Sequence, residues 1–425
     1  TGVQTCALPI LTSMKGNVIV GQSGGPTAAI NSSLAGVYRT AIDRGAKKVY
    51  GMIHGIQGLL QERYLDLSQY ITNDLDTELL KRTPAAFLGS CRYKLPEIHE
   101  DMEVYKKIFA ILDKLEIEAF IYIGGNDSMD TIKKLSDYAI ITGHPARFIG
   151  CPKTIDNDLA LTDHTPGYGS AAKYIGTSVK EIIRDGYCLE YENGVVTIVE
   201  IMGRNAGWLT GAAALAKGED CDGPDMIYLP EIPFDLEKFT QRVKKLLQKK
   251  SSVVIAVSEG IRLKDGRYVC ELGDSIDFVD AFGHKQLSGT AGYLSSFIAG
   301  ETGSKTRAIE LSTLQRSASH LASRVDILEA YQVGGAAVKA ADEGDSGKMV
   351  VLVRHSDDPY QSGTEVKDVH KIANDEKLVP REWVTKDGTY VTDEFVNYVR
   401  PLIQGDVSPV MVDGIPRHLY RPLNL

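Results

Sequence analysis

Short apolar runs and amphipathic stretches take turns along this chain. Asn17-Val18-Ile19-Val20-Gly21 is almost continuously apolar, the pattern of a strand buried on both faces. Ala29, Ile30, Ser33, Leu34, Val37, Tyr38 and Ala41 then recur at helical spacing. Lys48-Val49-Tyr50-Gly51-Met52 predicts the next strand, so the first three elements make a βαβ unit. Met102, Tyr105, Phe109 and Leu112 mark a helix leading into the strand Ala119-Phe120-Ile121-Tyr122-Ile123. Helices are predicted again over Met129 to Tyr138 and along the stripe Ala171, Ala172, Ile175, Val179 and Ile182. Phe148-Ile149-Gly150, Val195-Val196-Thr197-Ile198-Val199 and Val253-Val254-Ile255-Ala256-Val257 read as further strands. Such alternation predicts an α/β fold with mainly parallel sheets, covered by helices on both faces.

The two ends break the pattern. Residues 1–13 lack the basic start and long apolar core of a signal peptide, and Met14 opens the first strand-like run directly. They are expected to be a non-native or disordered leader. Beyond about residue 360 the chain turns polar and irregular, with Pro380, Pro401, Pro409 and Pro416. Segment 361–425 is therefore expected to be a C-terminal extension packed on the core, anchored by Trp383, Tyr390, Phe395 and Tyr398.

Composition narrows the partners. A chain of 425 residues buries a large core and should divide into two lobes. No apolar run approaches the roughly 18 residues that span a bilayer. The net charge of -9 gives no overall attraction for nucleic acid or acidic membranes. An anionic ligand must therefore meet a local cluster of Lys and Arg. Cys6, Cys91, Cys151, Cys188, Cys221 and Cys270 show no CxxC spacing, which argues against zinc and a disulfide framework and for a reducing cytoplasm.

The densest chemistry lies in Cys151-Pro152-Lys153-Thr154-Ile155-Asp156-Asn157-Asp158, directly after a predicted strand. Open α/β sheets place ligands at such strand ends. A lysine beside paired aspartates can hold an anionic group while one carboxylate takes a proton from a nucleophile. A solvated turn would use the same residues merely to cap the next element. In Gly21-Gln22-Ser23-Gly24-Gly25 the glycines let backbone N–H groups approach a phosphate, although a tight strand-to-helix turn needs glycine too. Gly124-Gly125-Asn126-Asp127-Ser128 repeats that design with a carboxylate. Asp127 suits Mg²⁺ shared with a phosphate, while Asp127 or Ser128 can also cap the helix that follows. Phe87 to Lys94 offers Arg92 and Lys94, and Glu200 to Trp208 offers Arg204, as anion contacts.

FLGSCR (87–92), GGNDSM (124–129), PKTIDND (152–158), DHTPGYGSA (163–171), MGRNAGW (202–208), LPEIPF (229–234) and KTRAIELSTLQRS (305–317) follow the Gly24-Gly25 loop in order. In this series the chain resembles the phosphofructokinase family from Met14 to about residue 340. The resemblance implies two similar three-layer α/β/α lobes with the active site in the cleft between them. Residues 14–167 would form the phosphoryl-donor lobe, completed by about 315–360, and 168–314 the sugar-phosphate lobe. It also implies phosphoryl transfer to O1 of fructose 6-phosphate in glycolysis, with Mg²⁺, in a homodimer or homotetramer.

Residue by residue, Asp156 matches the general base, Asp158 the aspartate that organises metal and charge, and Thr154 a contact to the transferring phosphoryl group. Thr154, Ile155 and Asp156 would meet the sugar with the loop Met202, Gly203 and Arg204. Glu231 matches the acid for the sugar hydroxyls, and Arg307 and Arg316 match arginines for the 6-phosphate. Gly24, Gly25, Arg92, Gly125 and Ser128 would hold the donor. Phosphoryl transfer relies mostly on positioning and electrostatics, so these roles suit the residue types.

Two positions choose the donor. ATP-using members carry glycine where this chain has Asp127 and Lys153. A carboxylate at Asp127 occupies space where the α-phosphate of ATP would lie, and Lys153 supplies a cation for compact pyrophosphate. Pyrophosphate is the expected donor, with an ATP-dependent enzyme as the alternative. Asn126 replaces the usual Mg²⁺-binding aspartate, which leaves Asn126 and Asp127 as metal candidates with support from Asp156 or water. Thr313 and Val195 depart from a histidine and an arginine of bacterial relatives, with Lys305, His320 and Arg324 as substitutes. NAD and lipid kinases also use a Gly-Gly-Asp loop but lack PKTIDND and MGR. A non-catalytic regulatory subunit would be signalled by loss of the base, and Asp156 and Asp158 are both present.

Overall fold

The computed structural model describes residues 14–188, 190–273, 287–372 and 375–422, so the expected leader at 1–13 lies outside the described residues. Strands β1 (Asn17–Gln22), β2 (Val49–Met52), β3 (Tyr64–Asp66), β4 (Ile117–Gly124) and β5 (Arg147–Pro152) come first. Strands β6 (Val195–Ile201), β7 (Met226–Tyr228), β8 (Ser252–Ser258) and β9 (Lys305–Glu310) follow, then β10 (Lys348–Asp357) and β11 (Tyr360–Asp368). One sheet runs β11-β10-β5-β4-β1-β2-β3 and the other β7-β8-β6-β9. All pairings within these sheets are parallel except β2–β3 and β10–β11. The two sheets, each with its helices, give the two α/β lobes.

Every residue of β1, β6 and β8 is buried, which is why these strands read as near-continuous apolar runs. The edges read differently. β11 mixes exposed and half-buried side chains and has none fully buried, so its polar sequence conceals a strand. Residues 361–368 thus extend the first sheet, and irregular chain begins only after Asp368. β9 is an exposed edge for the same reason, and β3 and β7 are three residues each.

Register aims the loops. Gln22 lies opposite Ile123 and Gly124 opposite Pro152, so the chain leaves β1, β4 and β5 side by side. Strand order reverses between β1 and β4, the kind of crevice where open α/β sheets bind ligands. In the second sheet Ile201 lies opposite Ser258 and Glu200 opposite Glu310, which groups the loops after β6, β8 and β9.

After β9 the chain returns to the first lobe through the helix Arg324–Asp342, which crosses the helix Ile30–Asp43 at glycines. A Cβ on Gly36 would stand 2.0 Å from Tyr331 O, and one on Gly334 2.0 Å from Ser33 O. The tail then packs on the second lobe. Phe395 stacks on Trp208 with ring centroids 5.9 Å apart, and Trp383 and Tyr398 complete that aromatic cluster. Among the described residues no helix is long and apolar enough to cross a membrane.

Candidate active site

Loops from both sheets line a cleft of about 700 Å³. On the first wall Gly24 adopts φ 74°, and a Cβ there would lie 3.4 Å from Lys153 Nζ. A Cβ on Gly25 would lie 3.6 Å from Arg316 Nη1. Bare backbone thus faces two cations, as a phosphate cradle requires. Gln22 and Asn31 hold the neighbouring loop: Leu88 N donates to Gln22 Oε1 at 2.9 Å and Phe87 N to Asn31 Oδ1 at 2.9 Å. That loop delivers Arg92 to the cleft, while Lys94 is not among the lining residues.

The second glycine loop is shorter than expected. Gly125 is the N-cap of helix Asn126–Thr142, so Asn126, Asp127 and Ser128 form its first turn and neither Asp127 nor Ser128 is the cap. All three line the cleft with Gly125. Ser128 Oγ donates to Ser23 Oγ at 2.9 Å, tying the two loops together. A Cβ on Gly124 would be only 1.9 Å from Ser128 Oγ. Asn126 Oδ1 is buried without a hydrogen-bond partner. Among the described residues no cluster of three His, Cys, Asp or Glu forms a ready-made metal site.

The loop after β5 carries a lysine and two aspartates that line the cleft. Lys153 is 2% exposed and its Nζ donates to Gly25 O at 2.6 Å. Burial draws its pKa down to about 8 even though Asp156 and Asp158 favour the charged form. Asp156 N donates to Thr154 Oγ1 at 3.0 Å, and Asn157 takes φ 55° with its Oδ1 accepting from Thr165 N at 3.0 Å. This turn presents Thr154, Ile155, Asp156 and Asp158 to the cleft. Both aspartates keep some contact with solvent through the opening, yet dense surroundings dominate. Burial raises Asp156, opposed by Lys153, Arg204 and Arg316. Asp158 rises to about 7 through burial and then repulsion from Asp156.

The facing wall is the 202–207 loop. Gly203 N donates to Glu259 Oε1 at 3.3 Å, and Gly203 O accepts from Ser258 Oγ at 2.5 Å. A Cβ on Gly260 would sit 1.9 Å from Arg204 O, so the loops after β6 and β8 touch backbone to backbone. Met202 and Arg204 line the cleft, whereas Gly203 serves as the loop's backbone tie. Glu259 also lines it, and burial followed by repulsion from Asp156 pushes its pKa to about 8. Sequence reasoning passed over Glu259, although Ser258-Glu259-Gly260 at a strand end carried the same signal as the other loops.

Two residues expected to contact the sugar are not among those that line this cleft. Glu231 is outside the cleft lining, because its Oε1 accepts Gly207 N at 2.8 Å and Val379 N at 3.0 Å and so braces the loop from behind. Arg307 projects from the edge strand β9 and pairs with Asp185 at 3.0 Å. Arg316 does line the cleft, beside Gly25 and Arg92. Val195, Lys305, Thr313, His320 and Arg324 do not line it. The tail adds Asp375 and Glu376, which no motif had marked.

The phosphofructokinase pattern ("Phosphofructokinase") matches residues 17–341. A pyrophosphate–fructose 6-phosphate 1-phosphotransferase of Halomonas elongata is 40% identical over 403 residues, spanning 94% of this chain and 95% of that protein. A protein of the same name from Xanthomonas campestris pv. campestris is 40% identical over 406 residues, spanning 95% and 96%. The crystal structure of a pyrophosphate-dependent phosphofructokinase from Nitrosospira multiformis aligns with a TM-score of 0.86 at 35% identity, over 96% of this chain and 97% of that one. With a family match over most of the chain, near-full-length relatives and the same arrangement of sheets, the chain belongs to the phosphofructokinase family.

Proposed function

We infer that the protein transfers a phosphoryl group from pyrophosphate to O1 of fructose 6-phosphate, giving fructose 1,6-bisphosphate and orthophosphate, and runs in both directions. The observation that carries this reading is Lys153, a buried cation bonded to the Gly24-Gly25 loop, in a cleft whose other glycine loop presents Asp127. Relatives bearing the name of this activity support it. Asp156 takes the proton of the sugar 1-hydroxyl, O1 bonds to the phosphorus, and the bridging P–O bond breaks to release orthophosphate. Thr154 contacts the phosphoryl group in transit. Arg204 and Arg316 steady the anions, and Arg92 and Lys153 hold the donor. Glu259, protonated at neutral pH by its raised pKa, can donate a hydrogen bond to a sugar hydroxyl.

Asn126 and Asp127 fit Mg²⁺, since a buried unpartnered amide oxygen and a carboxylate together match a hard cation that takes its remaining ligands from phosphate and water. Bound there, Mg²⁺ would neutralise phosphate charge. We place the enzyme in the cytoplasm as a homodimer or homotetramer, which light scattering checks. The decisive experiment supplies purified protein with Mg²⁺, fructose 6-phosphate and either pyrophosphate or ATP. Bisphosphate and orthophosphate should form with pyrophosphate, and equal or greater turnover with ATP would sink the donor assignment.

A further inference from the structure

The 202–207 loop is held from inside the family-matched region at several points. Met202 N donates to Gln315 Oε1 at 3.2 Å, Gly203 N to Glu259 and Gly207 N to Glu231. Asn205 is held from outside it as well as from within. Its amide nitrogen donates to both carboxylate oxygens of Glu376, at 3.1 and 3.3 Å, while its oxygen accepts from Arg262 Nη2 at 3.1 Å. Glu376 lies well past residue 341, where the match ends, yet it lines the cleft.

The segment bearing Glu376 is pinned to both walls. Glu376 forms an antiparallel bridge with Leu159, and Lys377 N donates to Asp158 O at 2.8 Å. Lys377 Nζ donates to Asp163 O at 2.7 Å and Thr162 O at 3.2 Å. From the opposite wall, Trp208 Nε1 donates to Lys377 O at 2.8 Å. Glu231 Oε1 accepts both Gly207 N and Val379 N. Glu376 is therefore exposed but not free to wander, because its backbone is paired with the reaction loop that bears Asp156 and Asp158. A charge-assisted bond from such a fixed point can set the facing loop.

We propose that Glu376 is a positioning residue: through Asn205 it fixes the 202–207 loop, and with it Arg204, at the separation from Asp156 that the sugar phosphate requires. The inference rests on the reading of the cleft as a sugar-phosphate site. It assigns the tail a part in substrate binding, with the acceptor sugar rather than the donor as the affected ligand.

A double-mutant cycle tests it. Glu376→Ala should raise KM for fructose 6-phosphate about tenfold, the scale of one hydrogen bond to a charged group. KM for pyrophosphate should move less than about threefold, since no contact of Glu376 reaches the Gly24-Gly25 loop in this network. Asn205→Ala should give a similar rise, and the double variant should be no worse than the worse single. Glu376→Gln, whose amide oxygen still accepts, should recover most of the lost affinity. Additive losses, an unchanged KM in Glu376→Ala, equal rises in both KM values, or a glutamine variant as poor as alanine would each overturn the proposal. Calorimetric titration with fructose 6-phosphate runs in parallel. Wild type that binds the sugar phosphate but ignores pyrophosphate refutes the donor reading and leaves the cycle to be read by binding, whereas wild type that binds neither refutes both.

Discussion

Replacing Lys153 by methionine keeps much of the side chain's bulk and deletes its charge. In the wild type that ammonium is 2% exposed and bonded to Gly25 O, and burial lowers its pKa from 10.5 to about 8. At roughly 1.4 kcal/mol per pH unit, this is a penalty of about 3 kcal/mol on the charged form. The folded pKa lies below the unfolded one, so between pH 8 and 10.5 the unfolded chain binds more protons. Stability therefore rises through that window, and the lysine opposes folding below it. Lys377, also drawn down to about 8 by burial, adds a rise of the same sign. In urea unfolding, the difference in stability between wild type and Lys153→Met should therefore shift by about 3 kcal/mol in favour of the wild type between pH 8 and 10.5.

Catalysis should respond the other way. A charge-assisted hydrogen bond to the donor is worth about 1.5–3 kcal/mol, so kcat/KM for pyrophosphate should fall roughly 10- to 150-fold at pH 7. The assay follows bisphosphate formation at saturating sugar phosphate from pH 6 to 10. A variant within about threefold of wild type, or an alkaline decline that is undiminished, would refute the assignment of Lys153 to the donor.

Asp156→Ala should cost at least about 10²-fold in kcat, and near-normal turnover would remove it from the role of base. Replacing Asp127 and Lys153 together by glycine should weaken pyrophosphate use and admit ATP, read as the ratio of turnover with the two donors. His164 bonds to Glu329 at 2.6 Å and Asp163 at 2.7 Å; burial lowers its pKa, but these carboxylates prevail and raise it from 6.5 to about 8. Its contribution is thus complete below pH 6.5 and lost as pH rises through 8, and His164→Gln should abolish a decline of about 2 kcal/mol in unfolding free energy across that interval. Gly334→Ala should destabilise by about 2 kcal/mol in urea unfolding, because a Cβ 2.0 Å from Ser33 O meets backbone that cannot step aside, and the helix-propensity gain of about 1 kcal/mol is smaller.

The sequence was most legible where structure is local or fully buried. β1, β4, β5, β6 and β8 announce themselves because nearly all their side chains are buried, and the loops behind β1, β4 and β5 gather their chemistry within a few residues. β9 and β11 escaped notice because edge strands keep polar side chains in solvent. In the site, a motif could say that Glu231 and Arg307 were present but not which way they point. Two backbone N–H groups turn Glu231 behind the loop, and Asp185 holds Arg307 at the sheet edge. Glu376 was illegible for a third reason. Its partner Asn205 is 171 residues away, and a polar tail segment gives no periodicity from which that pairing could be read.

The charge balance of the cleft would let a protein of net charge -9 hold an anion there. Arg92, Lys153, Arg204 and Arg316 face six lining carboxyls, Asp127, Asp156, Asp158, Glu259, Asp375 and Glu376, a formal excess of two negative charges. Burial changes that sum, since at neutral pH Glu259 with a pKa of about 8 is mostly protonated and Asp158 at about 7 is half so. The excess falls below one charge, and a polyanion meets a nearly neutral cleft with cations on its donor wall. Raising the pH through 8 deprotonates Lys153 and Glu259 together, and each loss makes the cleft more negative. Pyrophosphate affinity should therefore fall as pH rises through 8 in the wild type, and fall less steeply in Lys153→Met.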